Sequence, residues 1–275
     1  MSNDSSNLPS TPRESAADGL LRIITADILI LSILALFPWT NDPATPIKFL
    51  VIYCGVLLLS FVSLVKSGRS GESVPAGRWP LAFLMGMLVS YFVAALFSSQ
   101  VANSLRAFCD FAVLAFLFLL VSRTRYSTEN AWRLLAAVCV ATALSSAYAF
   151  CQYFGWDPFP WSTTQVEEYR GLPATFANPN MASHTLNLAL IMAVALATRK
   201  GTRWCAIPAI LILAHIAMTG VRAAKVALVV IALLAATVIF LSRFQNRPLK
   251  AALLTCLVVA VFGIAGAGVG GIALK

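Results

Sequence analysis

Long apolar runs, each close to the length of a bilayer crossing, alternate with short polar joints through nearly the whole chain. Nine runs stand out, at 20–37, 47–65, 79–97, 107–122, 131–152, 181–198, 204–220, 224–241 and 251–272. A spanning helix takes about 20 mainly apolar residues. Within each run the apolar positions are continuous, whereas a membrane barrel shows short segments with every second residue polar. The pattern therefore predicts an all-α polytopic membrane helix bundle with about nine transmembrane helices. Residues 1–19 are rich in Ser, Asn, Pro and Asp without apolar periodicity, which predicts a disordered tail. Residues 20–275 form the transmembrane helical domain, with one long exterior loop at about 153–180. A cleaved signal peptide is disfavoured: the usual positive start is missing, and Phe37-Pro38-Trp39 is no small-residue cleavage site.

Composition agrees with this picture, because 59% of the residues are hydrophobic and only 11% are charged, against roughly a quarter charged in soluble domains. The basic residues add an orientation. Arg13, Arg22, Lys66, Arg69, Arg78, Arg123, Arg125, Arg133, Arg199, Lys200, Arg203, Arg243, Arg247 and Lys250 fall on one side, fourteen of the twenty Lys and Arg. The positive-inside rule makes that side, and the amino terminus with it, cytoplasmic. Lys48, Arg106, Arg170, Arg222, Lys225 and Lys275 fall on the other. Topology and attraction to anionic lipid account for most of the net charge of +9, so no nucleic-acid partner is implied. The expected setting is the cytoplasmic membrane, with membrane lipids as partners. All six tryptophans lie near run ends and read as interface anchors. The six cysteines lack metal-ligand spacing and read as small apolar residues, so no metal is assigned.

Candidate chemistry gathers on the exterior side. Arg170 and Arg222 are separated by two crossings and lie on one face, and Arg106 lies two crossings before Arg170. Three guanidinium groups at one mouth suit a phosphorylated ligand, since each stays charged and offers paired donors to phosphate oxygens. Spacing alone favours the plainer reading of three snorkelling interfacial arginines. The exterior loop also carries Asp157, Glu167 and Glu168, of which Glu167 and Glu168 are readable as general bases or as solvated carboxylates. Asn178-Pro179-Asn180 has the composition of a helix start, and a helix start also presents free N–H groups to an anion. His184 lies about one turn further on, and His215 lies inside the seventh run, where a lone histidine more often satisfies a neighbour than catalyses. Asp110 follows Arg106 by four residues, which predicts a pair along one helix face. Asp27 sits inside the first run with no evident partner.

The segment RGLPATFANPN, Arg170 to Asn180, followed by an apolar run resembles a motif of the O-antigen ligase and polymerase superfamily. TGVRAAKVAL, Thr219 to Leu228, is similar to that family's later turn, with Val221 and Ala223 departing from its usual Ser and Gly. SSQVANSLRAF, Ser98 to Phe108, is a weaker match with Arg106 in the arginine position. The resemblance implies a metal-independent and cofactor-free glycosyltransferase. It would move a glycan from an undecaprenyl-pyrophosphate carrier to a glycan, lipid A-core or protein acceptor, outside a bacterial inner membrane. It implies that Arg170, Arg222 and Arg106 bind the pyrophosphate, supported by Gly171, Phe176, Asn178, Pro179 and Asn180. The family's acceptor-activating histidine lies in a large loop after roughly the ninth span, and neither His184 nor His215 matches its motif. The resemblance therefore covers the amino-terminal part of a ligase, and implies a truncated chain, inactive alone, with a second chain supplying the rest.

Two other classes remain open. Asp27, Asp110 and an arginine-lined mouth also suit a transporter or flippase for a lipid-linked or anionic substrate. Gly266 and Gly270, four apart in the ninth run, suit close helix packing by a non-catalytic membrane partner protein.

Overall fold

Apolar runs in a bilayer must satisfy every backbone group internally, and helices do so within one segment. A computed structural model of the protein describes residues 16–37, 44–70, 78–124, 126–159 and 172–242. Among these residues all regular structure is helical. The helices are α1 (Ala16–Leu34), α2 (Thr45–Ser70), α3 (Arg78–Leu96), α4 (Val101–Arg123), α5 (Thr128–Tyr153), α6 (Pro179–Ala197), α7 (Ala206–Met218) and α8 (Arg222–Ser242). Short 3-10 turns at Ala174–Phe176 and Lys200–Cys205 precede α6 and α7. Among the described residues six segments are long and apolar enough to cross a membrane: Thr45–Lys66, Trp79–Leu96, Val101–Arg123, Thr128–Tyr153, Pro179–Ala197 and Lys200–Met218. α1 carries Asp18, Arg22 and Asp27 and is not one of them. The predicted ninth run lies outside the described residues.

Two boundaries move relative to the apolar pattern. α1 begins at Ala16, inside the predicted tail, where Asp18 in its first turn meets Lys66 Nζ at 2.5 Å. A carboxylate there also favours the positive end of the helix dipole. α4 begins at Val101, six residues before the apolar run, because helical hydrogen bonding continues through Ala102-Asn103-Ser104. Side chains close its start: Ser104 Oγ lies 2.7 Å from Ser98 Oγ, and Asn103 Nδ2 donates to Gln100 Oε1 at 2.9 Å. Ser127 caps α5 by accepting from Asn130 N–H, and Asn178 caps α6 by accepting from Asn180 N–H with Pro179 at the first helical position. The helix start expected at Asn178-Pro179-Asn180 is the one observed.

Side-chain contacts sort the helix ends. At one end, Lys66 at the end of α2 meets Asp18 at the start of α1, and Arg199 beyond α6 meets Glu129 at the start of α5 at 2.6 Å. At the other, Lys48 near the start of α2 reaches the last turn of α1, while the start of α6 adjoins the end of α5 through Thr175 and Gln152. Helices α1 and α2 thus run antiparallel, as do α5 and α6. α2 and α4 run parallel, with Tyr53 beside Asp110 and Leu59 clustered with Leu117 and Leu120 further along.

The core lies among α1, α5, α6 and α7. It is built from small and aliphatic residues such as Ala136, Cys139, Ala182, Leu186, Ala189, Ala193, Ile212 and Ile216. Small side chains bring helix backbones close enough for extensive van der Waals contact, which drives association in lipid. α3 is the opposite, with Trp79 and Phe83 exposed, as suits a surface solvated by acyl chains. α1 and α2 approach closely at Gly55, where an added Cβ would stand 2.2 Å from Ile28 Cγ1. Gly55→Ala is expected to cost about 2 kcal/mol through overpacking, and Ile28→Ala in the same chain to recover part of it. Unfolding in a denaturing-detergent titration checks this, and an unchanged midpoint for Gly55→Ala would contradict the close approach.

Candidate functional site

The residues that follow Arg170 fold into a buried turn held by four helices. Ala174, Thr175 and Phe176 form the 3-10 turn and are buried. Ala174 and Ala177 have φ of 50° and 56°, left-handed values that cost a residue with a Cβ roughly 1–2 kcal/mol each. Specific contacts hold the strain in place. Gln152 Oε1 at the end of α5 accepts the Ala174 N–H at 3.0 Å. Thr175 Oγ1 donates to Ile33 O of α1 at 2.7 Å, so Ser145 Oγ, 2.7 Å away, is the donor in their shared bond. Lys48 Nζ donates to Ser32 O at 2.8 Å and Ile33 O at 2.7 Å, and lies 4.7 Å from the centre of the Phe176 ring. The ammonium thereby satisfies carbonyls that a helix end leaves without partners, and it also makes a cation–π contact.

His215, in the last turn of α7, completes the clamp. Its ring is fully buried, with Nε2 at 3.0 Å from Leu172 O and Nδ1 at 3.1 Å from Ser146 Oγ. A carbonyl only accepts, so Nε2 carries the proton that Leu172 O receives, while the Ser146 hydroxyl donates to Thr142 O at 3.0 Å and turns its oxygen toward Nδ1. His184, by contrast, is exposed on α6, and its side chain makes no hydrogen bond among the described residues.

The loop's entry is organised by Asp157. Tyr148 Oη donates to Oδ1 at 2.7 Å, Gln152 Nε2 to Oδ2 at 3.1 Å and Phe159 N–H to Oδ1 at 3.0 Å. A carboxylate so engaged holds the loop's start against α5. Gln152 bonds both Asp157 and Ala174, and so ties together the two described flanks of the loop.

Arg222 is the first residue of α8, exposed, immediately beyond the short Thr219–Val221 link to α7. Arg106 is exposed in the second turn of α4, in a cleft of about 460 Å³ formed by α2 and α4 with Phe49, Tyr53 and Asp110. Arg222 is not among the residues lining that cleft. The expected Arg106–Asp110 pair does not form: Asp110 instead accepts the hydroxyl of Tyr53 from α2, a partner 57 residues away. Asp27 is exposed on α1. Arg170, Gly171, Glu167 and Glu168 lie outside the described residues.

Among the described residues no three His, Cys, Asp or Glu side chains gather as metal ligands. Of the cysteines there, Cys139 and Cys205 are buried, Cys54 and Cys109 exposed, and all are free. Among the described residues, fold and composition are those of an all-helical, multi-pass membrane protein with a polar, internally braced turn at one end of its bundle. No family model matches the chain, and no curated protein or solved structure matches it.

Proposed function

We propose that the protein binds an undecaprenyl-pyrophosphate-linked glycan at the exterior face of a bacterial cytoplasmic membrane, with Arg170 and Arg222 on the pyrophosphate. This is the role that the resemblance to the O-antigen ligase superfamily implies. The amino terminus is cytoplasmic in this reading, since the end of the bundle bearing Arg22, Lys66, Arg123, Arg133 and Arg199 holds most of the described positive charge. One observation carries the pairing of the two arginines. His215 ties Leu172 to the last turn of α7, and Arg222 starts α8 four residues after α7 ends. Arg170 is two residues before Leu172 in the chain, which supports reading the two arginines as one site.

In a transfer reaction, an acceptor hydroxyl forms a bond to the anomeric carbon as the bond to the pyrophosphate oxygen breaks, and the electron pair leaves on that oxygen. Fixed guanidinium groups in a water-poor site stabilise this developing charge without a metal. The proton of the acceptor needs a base, which the matching motifs do not include. Binding is therefore the activity to measure first. Loss of two charge-assisted contacts at roughly 1.5 kcal/mol each predicts about hundredfold weaker binding of undecaprenyl pyrophosphate by Arg170→Ala with Arg222→Ala. Equal affinities of purified wild-type and doubly substituted protein would remove the site.

A further inference from the structure

At the end of the bundle opposite the His215 clamp, α1 and α5 bound a cleft of about 350 Å³. Its polar groups are Arg22 from α1, Asn130 and Arg133 from α5, and Tyr126 just before α5. Tyr126 Oη is buried beside Thr25, and burial pushes its acidity constant up, so it stays a donor. Arg133 is 74% exposed and its Nε lies 3.5 Å from Glu129 Oε1, while Glu129 makes its shorter contact, 2.6 Å, with Arg199. The cleft therefore has two guanidinium groups from different helices, an amide and a phenol.

The rest of the cleft is apolar, with Ile23 and Ala26 on α1 and Leu134 and Ala137 on α5. It adjoins a second cleft of about 510 Å³, with which it shares Arg133 and Ala137. There the apolar walls continue through Ile30 and Leu34 of α1 and Val140 and Leu144 of α5. The positions on each helix recur at three- or four-residue spacing, so each set forms one stripe. From Arg133 to Leu144 the groove rises about 17 Å along α5, close to half of the roughly 30 Å hydrocarbon core.

We propose that this α1–α5 groove holds one anionic membrane phospholipid, its phosphate on Arg22 and Arg133 and an acyl chain lying over Ala137 toward Leu144. Charge complementarity selects the head group, and Asn130 and Tyr126 supply further donors to phosphate oxygens. The one-leaflet length of apolar wall selects an acyl chain over a soluble phosphate, which would occupy the charged end alone. The site lies at the opposite end of the bundle from the proposed pyrophosphate site and stands independently of it.

The test is a titration of the purified full chain in detergent with phosphatidylglycerol, phosphatidylcholine and soluble glycerol 3-phosphate, followed by native mass spectrometry. Phosphatidylglycerol is expected to bind most tightly. Arg22→Gln with Arg133→Gln is expected to weaken it about tenfold or more. Arg133→Gln alone changes an exposed side chain and is expected to weaken binding without affecting folding. Ala137→Phe keeps both arginines and fills the groove, so it is expected to weaken phosphatidylglycerol as well. Unchanged affinity in the Arg133→Gln and Ala137→Phe proteins would overturn the proposal. Equal binding of phosphatidylcholine would remove the role of charge, and competition by glycerol 3-phosphate at equal strength would reassign the cleft to a soluble anion.

Discussion

Replacing His215 with alanine is expected to lower stability by about 4 kcal/mol. The ring is fully buried at the meeting of α5, α7 and the Leu172–Phe176 turn. Its removal does two things. Truncating a large buried side chain leaves a cavity, which in cores costs about 2–5 kcal/mol. It also strips the Leu172 carbonyl of its donor, and a buried group left unmade costs about 1–3 kcal/mol. Interhelical hydrogen bonds in membranes average only about 0.6 kcal/mol, so the cavity is the larger share. His215→Gln fills more of the space and keeps a donor, and should lose about half as much. A denaturing-detergent titration followed by circular dichroism measures both. A His215→Ala protein within about 1 kcal/mol of wild type would show that the clamp contributes little. Limited proteolysis gives a second view, since cleavage near Leu172 should accelerate in the alanine variant ahead of cleavage in α5.

Lys48→Met should cost about 3 kcal/mol, from two charge-assisted bonds of roughly 1.5 kcal/mol each. Methionine retains the length and apolar stem of lysine, so the loss isolates the ammonium and its contacts with Ser32 O and Ile33 O. Ile33 O also accepts from Thr175 Oγ1. The two donors share one acceptor, which makes Lys48 and Thr175 a coupled pair. In a double-mutant cycle, Lys48→Met and Thr175→Val should therefore deviate from additivity by about 0.5 kcal/mol or more. Additive effects would mean that α2 and the turn grip α1 separately.

Much of the frame was legible in the chain because hydropathy and capping act locally. The run at 131–152 lies within α5, and Asn178-Pro179-Asn180 opens α6 as its residue types require. The exceptions have a common cause, which is that polar residues found partners far away in sequence. Asp110 turned from its helical neighbour Arg106 to Tyr53 on another helix. His215 is bonded to Leu172 and Ser146, 43 and 69 residues away, and a solitary histidine in an apolar run carries no periodic sign of that. A usable signal did exist: Ser145, Ser146 and Gln152 interrupt one predicted span, His215 interrupts another, and polar groups in lipid must find each other. The left-handed Ala174 and Ala177 had no such signal, since alanine avoids that conformation unless its surroundings impose it. Of the candidate site, sequence indicated the segment and its helix start, while the clamp that braces them became visible only in three dimensions.

The contrast between α3 and the α5–α6 core sets how freely each can drift. On α3, Phe83 and Val89 are exposed to whatever surrounds the bundle, so one apolar side chain can replace another there with little effect on the rest of the protein. In α5 and α6, Ala136, Ala182, Ala189 and Ala193 are buried between helices, and a larger residue at any of them would have to push two backbones apart. Substitutions that leave hydropathy untouched would therefore accumulate at different rates in the two regions. Variation among related chains should leave the alanine seam of the core standing while the outer surface of α3 changes around it.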